Sequence, residues 1–161
     1  MTLYLVRHAQ AGRRSDFDGF NDSLRPLTAE GRHQAAALVG VLADLGVTSV
    51  YSSPYRRCVQ SAAPLASHLG VSTVETASLE EGPADRAIDL ARSLASENAA
   101  FFSHGDIIPS MLDHFVHTDE LVLGAEARCQ KASTWILEPA KDSPGVFVGA
   151  IYIPPPRWMM M

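Results

Sequence analysis

The chain has 161 residues, of which 47% are hydrophobic, as is ordinary for a globular protein with one sizeable core. Its formal net charge of −5 at pH 7 argues against non-specific binding to nucleic acid or to a membrane surface as its main activity. No apolar stretch reaches transmembrane length, and the chain opens on a strand pattern without a charged leader, so we expect a cytoplasmic protein.

The first predicted strand ends in an arginine and a histidine. Residues 2–6 are β-branched, aromatic or aliphatic, and Arg7 and His8 follow directly. Ligands of open α/β sheets bind at the carboxyl ends of strands, so a cation beside a titratable ring is a candidate anion site there. The polar loop of residues 10–26 has the composition of a solvated connection, but its length favours a binding loop, in which Arg14 lies closest behind His8.

The next segments alternate between helices and strands. The first helix begins after Thr28, a suitable N-cap, and residues 47–51 form the second strand. The second helix starts at Tyr55, Pro64 should kink or split it, and residues 71–75 form the third strand. Such alternation implies right-handed crossovers and a mainly parallel sheet.

The remaining segments complete the predicted fold. We predict helices at residues 84–97 and 107–116, and strands at residues 99–103, 132–137 and 146–153. The expected fold class is α/β, a three-layer α/β/α sandwich whose mainly parallel central sheet has about five to six strands. Residues 1–153 would form a single domain, and residues 154–161 a tail to which we assign no role.

Three of the predicted strand ends carry basic residues. His8 follows the first strand, the pair Arg56 and Arg57 lies shortly after the second, and His104 follows the fourth. If these strands are neighbours, two imidazoles and two or three guanidinium groups converge at one edge of the sheet. Such a cluster suits a phosphoryl group, because guanidinium donors match the geometry of its oxygens.

These motifs, in their order along the chain, resemble those of the histidine phosphatase (phosphoglycerate-mutase-like) superfamily. The segments that carry the resemblance are Arg7-His8-Ala9, Arg25-Pro26-Leu27-Thr28 with Gly31 and Gln34-Ala35, Ser52-Ser53-Pro54 with Arg57 and Gln60-Ser61-Ala62, Leu79 with Glu81, and Ser103-His104-Gly105. The short chain most resembles the compact bacterial branch that includes protein-phosphohistidine phosphatases. A related domain follows a Nudix hydrolase in some fused proteins.

The resemblance implies a phosphatase that works through a covalent phosphohistidine. His8 would be the unprotonated nucleophile, and nearby guanidinium groups would lower its pKa. Arg7 and Arg57 would bind the phosphoryl oxygens, and His104 would donate a hydrogen bond to the same group. Arg14, which stands where mutase-like members often carry asparagine, would make the pocket more cationic and suit a polyanion or a phosphoprotein.

The general acid is assigned to a pair of adjacent carboxylates. Glu81 is the candidate and Glu80 the alternative, although two such residues together are most often only part of a polar loop. A phosphoramidate or phosphoanhydride leaves more easily than an alkoxide, so the acid would matter less for those substrates. Ala9 replaces the commoner glycine of the motif, which is tolerable if the backbone there needs no positive φ.

Several functions fit this set of residues. The expected substrate is a phosphohistidine protein or a small phosphorylated metabolite, and we expect no nucleic acid, membrane or cofactor as a partner. A mutase is disfavoured, because the chain lacks room for insertions that would shield a phosphorylated intermediate from water. A nucleotide di- or triphosphate hydrolase and a non-catalytic phosphate-binding or interaction module remain the alternatives.

Other polar residues are interpreted without a functional role. The side chains expected to be solvated, structural or buried in the core are Arg56, His33, His68 and Cys58. His114 and His117 lie near a helix end without a third convergent ligand, so we expect no metal there. Cys58 and Cys129 lack metal-ligand spacing, and we expect both to be free thiols.

Overall fold

A single seven-stranded sheet forms the centre of the described chain, which in this computed structural model comprises residues 1–17, 21–124 and 126–157. The strands are β1 (Leu3–Arg7), β2 (Ser49–Ser52), β3 (Thr73–Glu75), β4 (Ala99–Ser103), β5 (Val122–Leu123), β6 (Thr134–Ala140) and β7 (Ser143–Ile153). Their spatial order is β3-β2-β4-β1-β6-β7-β5. Only β6 runs against the others, pairing antiparallel with β1 and with β7.

The expectation of a mainly parallel α/β sheet is confirmed, with one correction to the strand count. The sheet has seven strands, where we expected about five to six. The additional strand, β5, is only two residues long and pairs with β7 at the sheet edge. So short a strand has no hydrophobic periodicity by which a sequence could reveal it.

Helices cover both faces of the sheet. They are α1 (Ala29–Leu42), α2 (Arg56–Leu69), α3 (Asp85–Ser93) and α4 (Ile107–Thr118). Alternate side chains of β1 separate two apolar clusters, as the period of a strand requires. Leu3 and Leu5 pack with residues of α3 and α4, whereas Tyr4 and Val6 pack with residues of α1 and α2. The three layers expected from the sequence follow from this alternation.

The helix boundaries agree with the sequence in some places and differ in others. The Thr28 hydroxyl accepts a hydrogen bond from the Gly31 N–H at 3.0 Å, as an N-cap should. Pro64 does not split α2, which is continuous through it, because packing of its buried face outweighs one lost backbone hydrogen bond. Helix α3 ends at Ser93 instead of residue 97, since the chain turns at Leu94 to enter β4.

Two predicted segments lie partly outside the described residues. The polar loop after His8 includes Asp18, Gly19 and Phe20, and the predicted tail includes residues 158–161, none of which is described. None of the described helices combines the length and the apolar character needed to cross a membrane.

Candidate active site

Three strand ends meet at one edge of the sheet because β4 lies between β1 and β2. The backbone N–H of His8 donates to the Ser103 carbonyl at 3.0 Å, and that of Ser53 donates to the Phe102 carbonyl at 3.0 Å. Arg7 is paired in register with Ser103. The residues that follow β1, β2 and β4 are therefore immediate neighbours, at the edge where ligands of such sheets bind.

The two histidine rings lie side by side. Their centroids are 5.7 Å apart, with 67° between the ring planes, and only 5% of His8 and 1% of His104 is exposed. The Nδ1 atom of His8 is 2.7 Å from the Ala9 carbonyl oxygen. A carbonyl oxygen only accepts, so Nδ1 carries the ring proton and Nε2 keeps its lone pair.

Burial lowers the pKa of His8 to about 3. The hydrogen bond to Ala9 acts to raise this pKa, whereas the charges of Arg57 and Arg7 lower it further. Burial also lowers the pKa of His104 to about 3, with further contributions from His8 and Arg57. Both rings are consequently neutral at pH 7. A neutral ring with a free Nε2 has the form that a nucleophilic imidazole requires.

A serine orients the second histidine. The Ser53 hydroxyl oxygen accepts from the Tyr55 backbone N–H at 3.3 Å, and its own proton is available for Nε2 of His104, 2.9 Å away. Nδ1 of His104 then carries the ring proton, and it lies 3.5 Å from a carboxylate oxygen of Glu81. Sequence reasoning quoted Ser53 within a motif but gave it no role.

Arg57 is fully buried and is held by two carboxylates. Its Nη1 donates to the Asp22 carbonyl at 2.9 Å, and its Nη2 donates to the Asp22 carboxylate at 3.2 Å and to Glu81 Oε1 at 2.6 Å. Although burial acts to raise it, a hydrogen bond from Arg25 and the charge of Arg57 hold the pKa of Asp22 below its usual range. Asp22 is a site residue that the sequence analysis missed, because one carboxylate in a polar loop has no distinguishing signal.

Arg7 depends on a glycine for its position. Its Nη1 donates to the Cys129 carbonyl at 2.6 Å. A Cβ atom on Gly105 would lie 2.7 Å from Cζ of Arg7, too close for any ordinary contact. The glycine after His104 thus leaves room for the guanidinium group to enter the site.

The two candidate acids occupy different places. Glu81 lines a cavity of about 340 Å³ together with His8, Arg7, Arg14, Gly105 and Asp106. Glu80 does not line this cavity, although both glutamates border a neighbouring one of about 310 Å³. The Asp106 carboxylate accepts from the Gly82 N–H at 3.0 Å and so fixes the loop that carries Glu81. Asp106 was also missed, since its contact is with a residue 24 positions away.

Arg14 lies at the rim of the same cavity. Its Nη2 is 3.3 Å from Glu81 Oε1, and 69% of its side chain is exposed. The Glu81 oxygen is therefore shared by Arg57, Arg14 and the His104 ring. These three groups would also suit an oxygen of a phosphoryl group. The Glu81 carboxylate therefore lies where an anionic oxygen of a substrate could bind.

The residues interpreted without a role lie where they were expected. Arg56, His33 and His68 are exposed. Cys58 and Cys129 are free, and burial raises the pKa of Cys58 to about 12 and that of Cys129 to about 11, so neither is a reactive thiolate at pH 7. Among the described residues, no three histidine, cysteine or carboxylate side chains are grouped so as to hold a metal ion.

Comparison with solved structures places this fold among phosphatases. A SixA protein from Nakamurella multipartitia has a TM-score of 0.74 and 19% identity, and the alignment covers 96% of this chain and 95% of that chain. The protein histidine phosphatase SixA, solved with tungstate, has a TM-score of 0.72 at 17% identity, covering 95% and 94%. A mycobacterial glucosyl-3-phosphoglycerate phosphatase has a TM-score of 0.70 at 17% identity, covering 94% and 96%.

Sequence comparison gives a closer relationship. An 8-oxo-(d)GTP phosphatase from Mycolicibacterium smegmatis is 34% identical over 96% of this chain. The chain spans about half the length of that relative, 48%. The family model of branch 1 of the histidine phosphatase superfamily matches residues 3–86. This segment contains Arg7, His8, Arg57 and Glu81. With the fold and the paired histidines of the sheet edge, this match shows that the chain belongs to the histidine phosphatase superfamily.

Proposed function

We propose that the chain is a phosphatase that transfers a phosphoryl group from its substrate to Nε2 of His8 and then hydrolyses the phosphohistidine. The observation that carries the proposal is the pair of neutral imidazoles 5.7 Å apart beside a buried arginine. The hydrogen bond from Nδ1 of His8 to Ala9 leaves Nε2 as the attacking atom. In the first step the bond from phosphorus to Nε2 of His8 forms while the bond from phosphorus to the leaving oxygen, or to the leaving nitrogen of a phosphohistidine, breaks.

Buried nitrogen donors surround the proposed position of the phosphoryl group. Within the described residues, Nε of Arg7 and Nε of Arg57 are buried without a hydrogen-bond partner, and Nδ1 of His104 makes no hydrogen bond and only the 3.5 Å contact with Glu81. Unpaired buried donors are costly, so donors of this kind suit a site that takes an anion. A positioned donor that acts on the charge of the transition state contributes on the order of 3 kcal/mol.

We further propose that Glu81 moves protons in both steps. The incoming phosphoryl group is an anion and competes with Glu81 for Nη2 of Arg57, so binding frees the carboxyl group to face the leaving group. No longer paired with Arg57, the carboxylate takes up a proton from solvent and gives it to the departing oxygen or nitrogen. It then takes a proton from the attacking water as the P–N bond breaks, which restores the lone pair of His8 and releases inorganic phosphate.

For the substrate, we propose a phosphohistidine protein or a small phosphorylated metabolite, with hydrolysis instead of transfer to a second acceptor. The exposed Arg14 at the rim leaves the cavity open to water, which favours a hydrolase over a mutase. A second candidate is hydrolysis of nucleotide di- or triphosphates, favoured by the 34% identity to a relative described as an 8-oxo-(d)GTP phosphatase.

Substitution of the nucleophile tests the proposal. His8→Ala should abolish hydrolysis of an aryl phosphate, because no other side chain supplies the attacking nitrogen at this position. Wild-type protein quenched with detergent at alkaline pH should carry a base-stable, acid-labile label from ³²P-substrate, and His8→Ala should carry none. His68→Ala, on the exposed surface of α2, is the matched control and should keep both rate and label. Undiminished turnover in His8→Ala would contradict the mechanism, and an inactive wild type that still binds phosphate would favour a non-catalytic module.

A further inference from the structure

A second cavity adjoins the one that contains Glu81. It has a volume of about 430 Å³ and shares Arg7, His8 and Arg14 with its neighbour. Its other charged lining residues are Arg13, Arg25 and Lys131, and none of the described carboxylates lines it. Five cations thus border one recess in a chain whose net charge is −5.

Lys131 is held beside the nucleophile by the backbone. The next residue, Ala132, donates its N–H to the carbonyl oxygens of Arg7 and His8, both at 3.1 Å. Burial lowers the pKa of Lys131, and the charges of Arg7 and Arg25 add to this effect. Within the described residues Lys131 has no carboxylate within ion-pair distance, so its ammonium group lies in a positive field without compensation.

Arg25, another residue of the cavity lining, is buried and held by hydrogen bonds. Arg25 is 5% exposed, donates from Nη1 to the Gly12 carbonyl at 2.7 Å, and pairs through Nε with Asp22 at 3.0 Å. The same Asp22 holds Arg57 of the phosphoryl site. One carboxylate therefore joins Arg25, which lines the second cavity, to the buried Arg57.

We propose that this second cavity binds a further phosphoryl group of the same substrate, so that among the candidate substrates above the diphosphates and longer polyphosphates are preferred. The inference rests on the proposed function, in which the transferred group lies against His8. Both cavities share Arg7, His8 and Arg14, so an anion in the second cavity would lie next to the transferred group. Adjacent phosphoryl groups of a phosphoanhydride have the same relation to each other. Clustered guanidinium and ammonium donors without carboxylates suit such a chain of anionic oxygens.

Binding of non-hydrolysable phosphonates tests this inference without requiring turnover. Methylphosphonate carries one anionic group and methylenediphosphonate carries two, and calorimetric titration gives the ratio of their dissociation constants. We expect Lys131→Met to reduce the preference for the diphosphonate about tenfold, equivalent to about 1.4 kcal/mol. Lys141→Met is the matched control, because Lys141 is the other lysine of the chain and is exposed in the turn between β6 and β7. This control should keep the wild-type ratio.

Further results distinguish a second phosphoryl site from a purely local effect of Lys131. Arg13→Ala should reduce the preference in the same direction, which separates the role of the cavity from any local effect at Lys131. An unchanged ratio of dissociation constants in both variants would overturn the inference. An equal loss of affinity for both phosphonates would also overturn it, and would assign Lys131 to the binding of the transferred group instead. Wild-type protein could also carry no label on His8 while Lys131→Met still changes the ratio of the two dissociation constants. That result would refute the proposed catalysis and leave the second phosphoryl site intact.

Discussion

At the scale of single residues, two carboxylates of the candidate site share one arginine. The Glu81 carboxylate is 2.6 Å from Nη2 of Arg57, and the Asp22 carboxylate is 3.2 Å from the same nitrogen. Asp22 has a second guanidinium partner in the buried Arg25, whereas the second guanidinium partner of Glu81 is the exposed Arg14. We therefore expect a phosphoryl group to displace Glu81 more readily than Asp22, so that Asp22 keeps Arg57 oriented.

The proposed proton transfer by Glu81 predicts a substrate-dependent loss. Glu81→Gln should slow hydrolysis of an alkyl phosphate by about 10² to 10⁴, because an alkoxide leaves poorly without a proton. Hydrolysis of phosphohistidine should fall much less, since the phosphoramidate leaves more easily. Steady-state rates on both substrates give the comparison, with Glu80→Gln as the neighbouring control. Equal losses on the two substrates would exclude Glu81 as the general acid.

At the scale of elements, helix α1 supports the segment that follows the nucleophile. The Gln10 backbone N–H donates to the Gln34 side chain at 2.9 Å, and the Gln10 carbonyl accepts from the Thr28 N–H at 3.0 Å. A Cβ atom on Gly31 would overlap that carbonyl. The glycine of α1 is thus required for close packing of the helix on the chain just beyond His8.

Two glycines of the same helix predict opposite effects of alanine. Gly31→Ala should destabilise the protein by about 1–3 kcal/mol or more, since backbone must move to make room. Gly40→Ala, where a Cβ atom meets no neighbour within 4 Å, should stabilise it by about 0.5–1 kcal/mol through helix propensity. Urea denaturation measures both changes. Similar free energies of unfolding for the two variants would refute the packing role of Gly31.

At the scale of the whole molecule, folding buries two histidines in their neutral form, and this couples stability to pH. The pKa of His8 and that of His104 are each about 3 in the folded protein, against 6.5 for an unperturbed ring. Between these values the unfolded chain binds protons that the folded protein does not. The free energy of unfolding should therefore fall as pH decreases below 6.5, with each ring contributing up to about 1.4 kcal/mol per pH unit.

Denaturant titrations between pH 7 and pH 4.5 test this dependence. His104→Gln removes one buried ring and should flatten the decline, while His68→Gln, on the surface of α2, should keep the wild-type slope. A wild-type slope in His104→Gln would show that the buried ring does not contribute. Because carboxylates such as Asp22 and Asp119 have a pKa below the usual range, their contribution is lost only at still lower pH.

The sequence by itself determined the alternation of strands and helices and the presence of Arg7, His8 and His104 at strand ends. Hydrophobic periodicity and helix caps are local properties, so they are readable without knowledge of the fold. The resemblance to a known superfamily, carried by short motifs in order, added Arg57 and Glu81, and the match to the family model confirmed the superfamily. The roles of the individual site residues stay predictions for the experiments above.

Tertiary structure alone decided which other residues join the site. Lys131 precedes β6, and because β6 runs antiparallel to β1, the residue before its start lies at the same edge as the residue after the end of β1. Strand direction depends on pairing partners far away in the chain, which no local pattern encodes. Asp22 and Asp106 likewise gain their roles through contacts with Arg57 and Gly82, 35 and 24 positions away, because a polar side chain acquires its function from the groups that folding brings next to it.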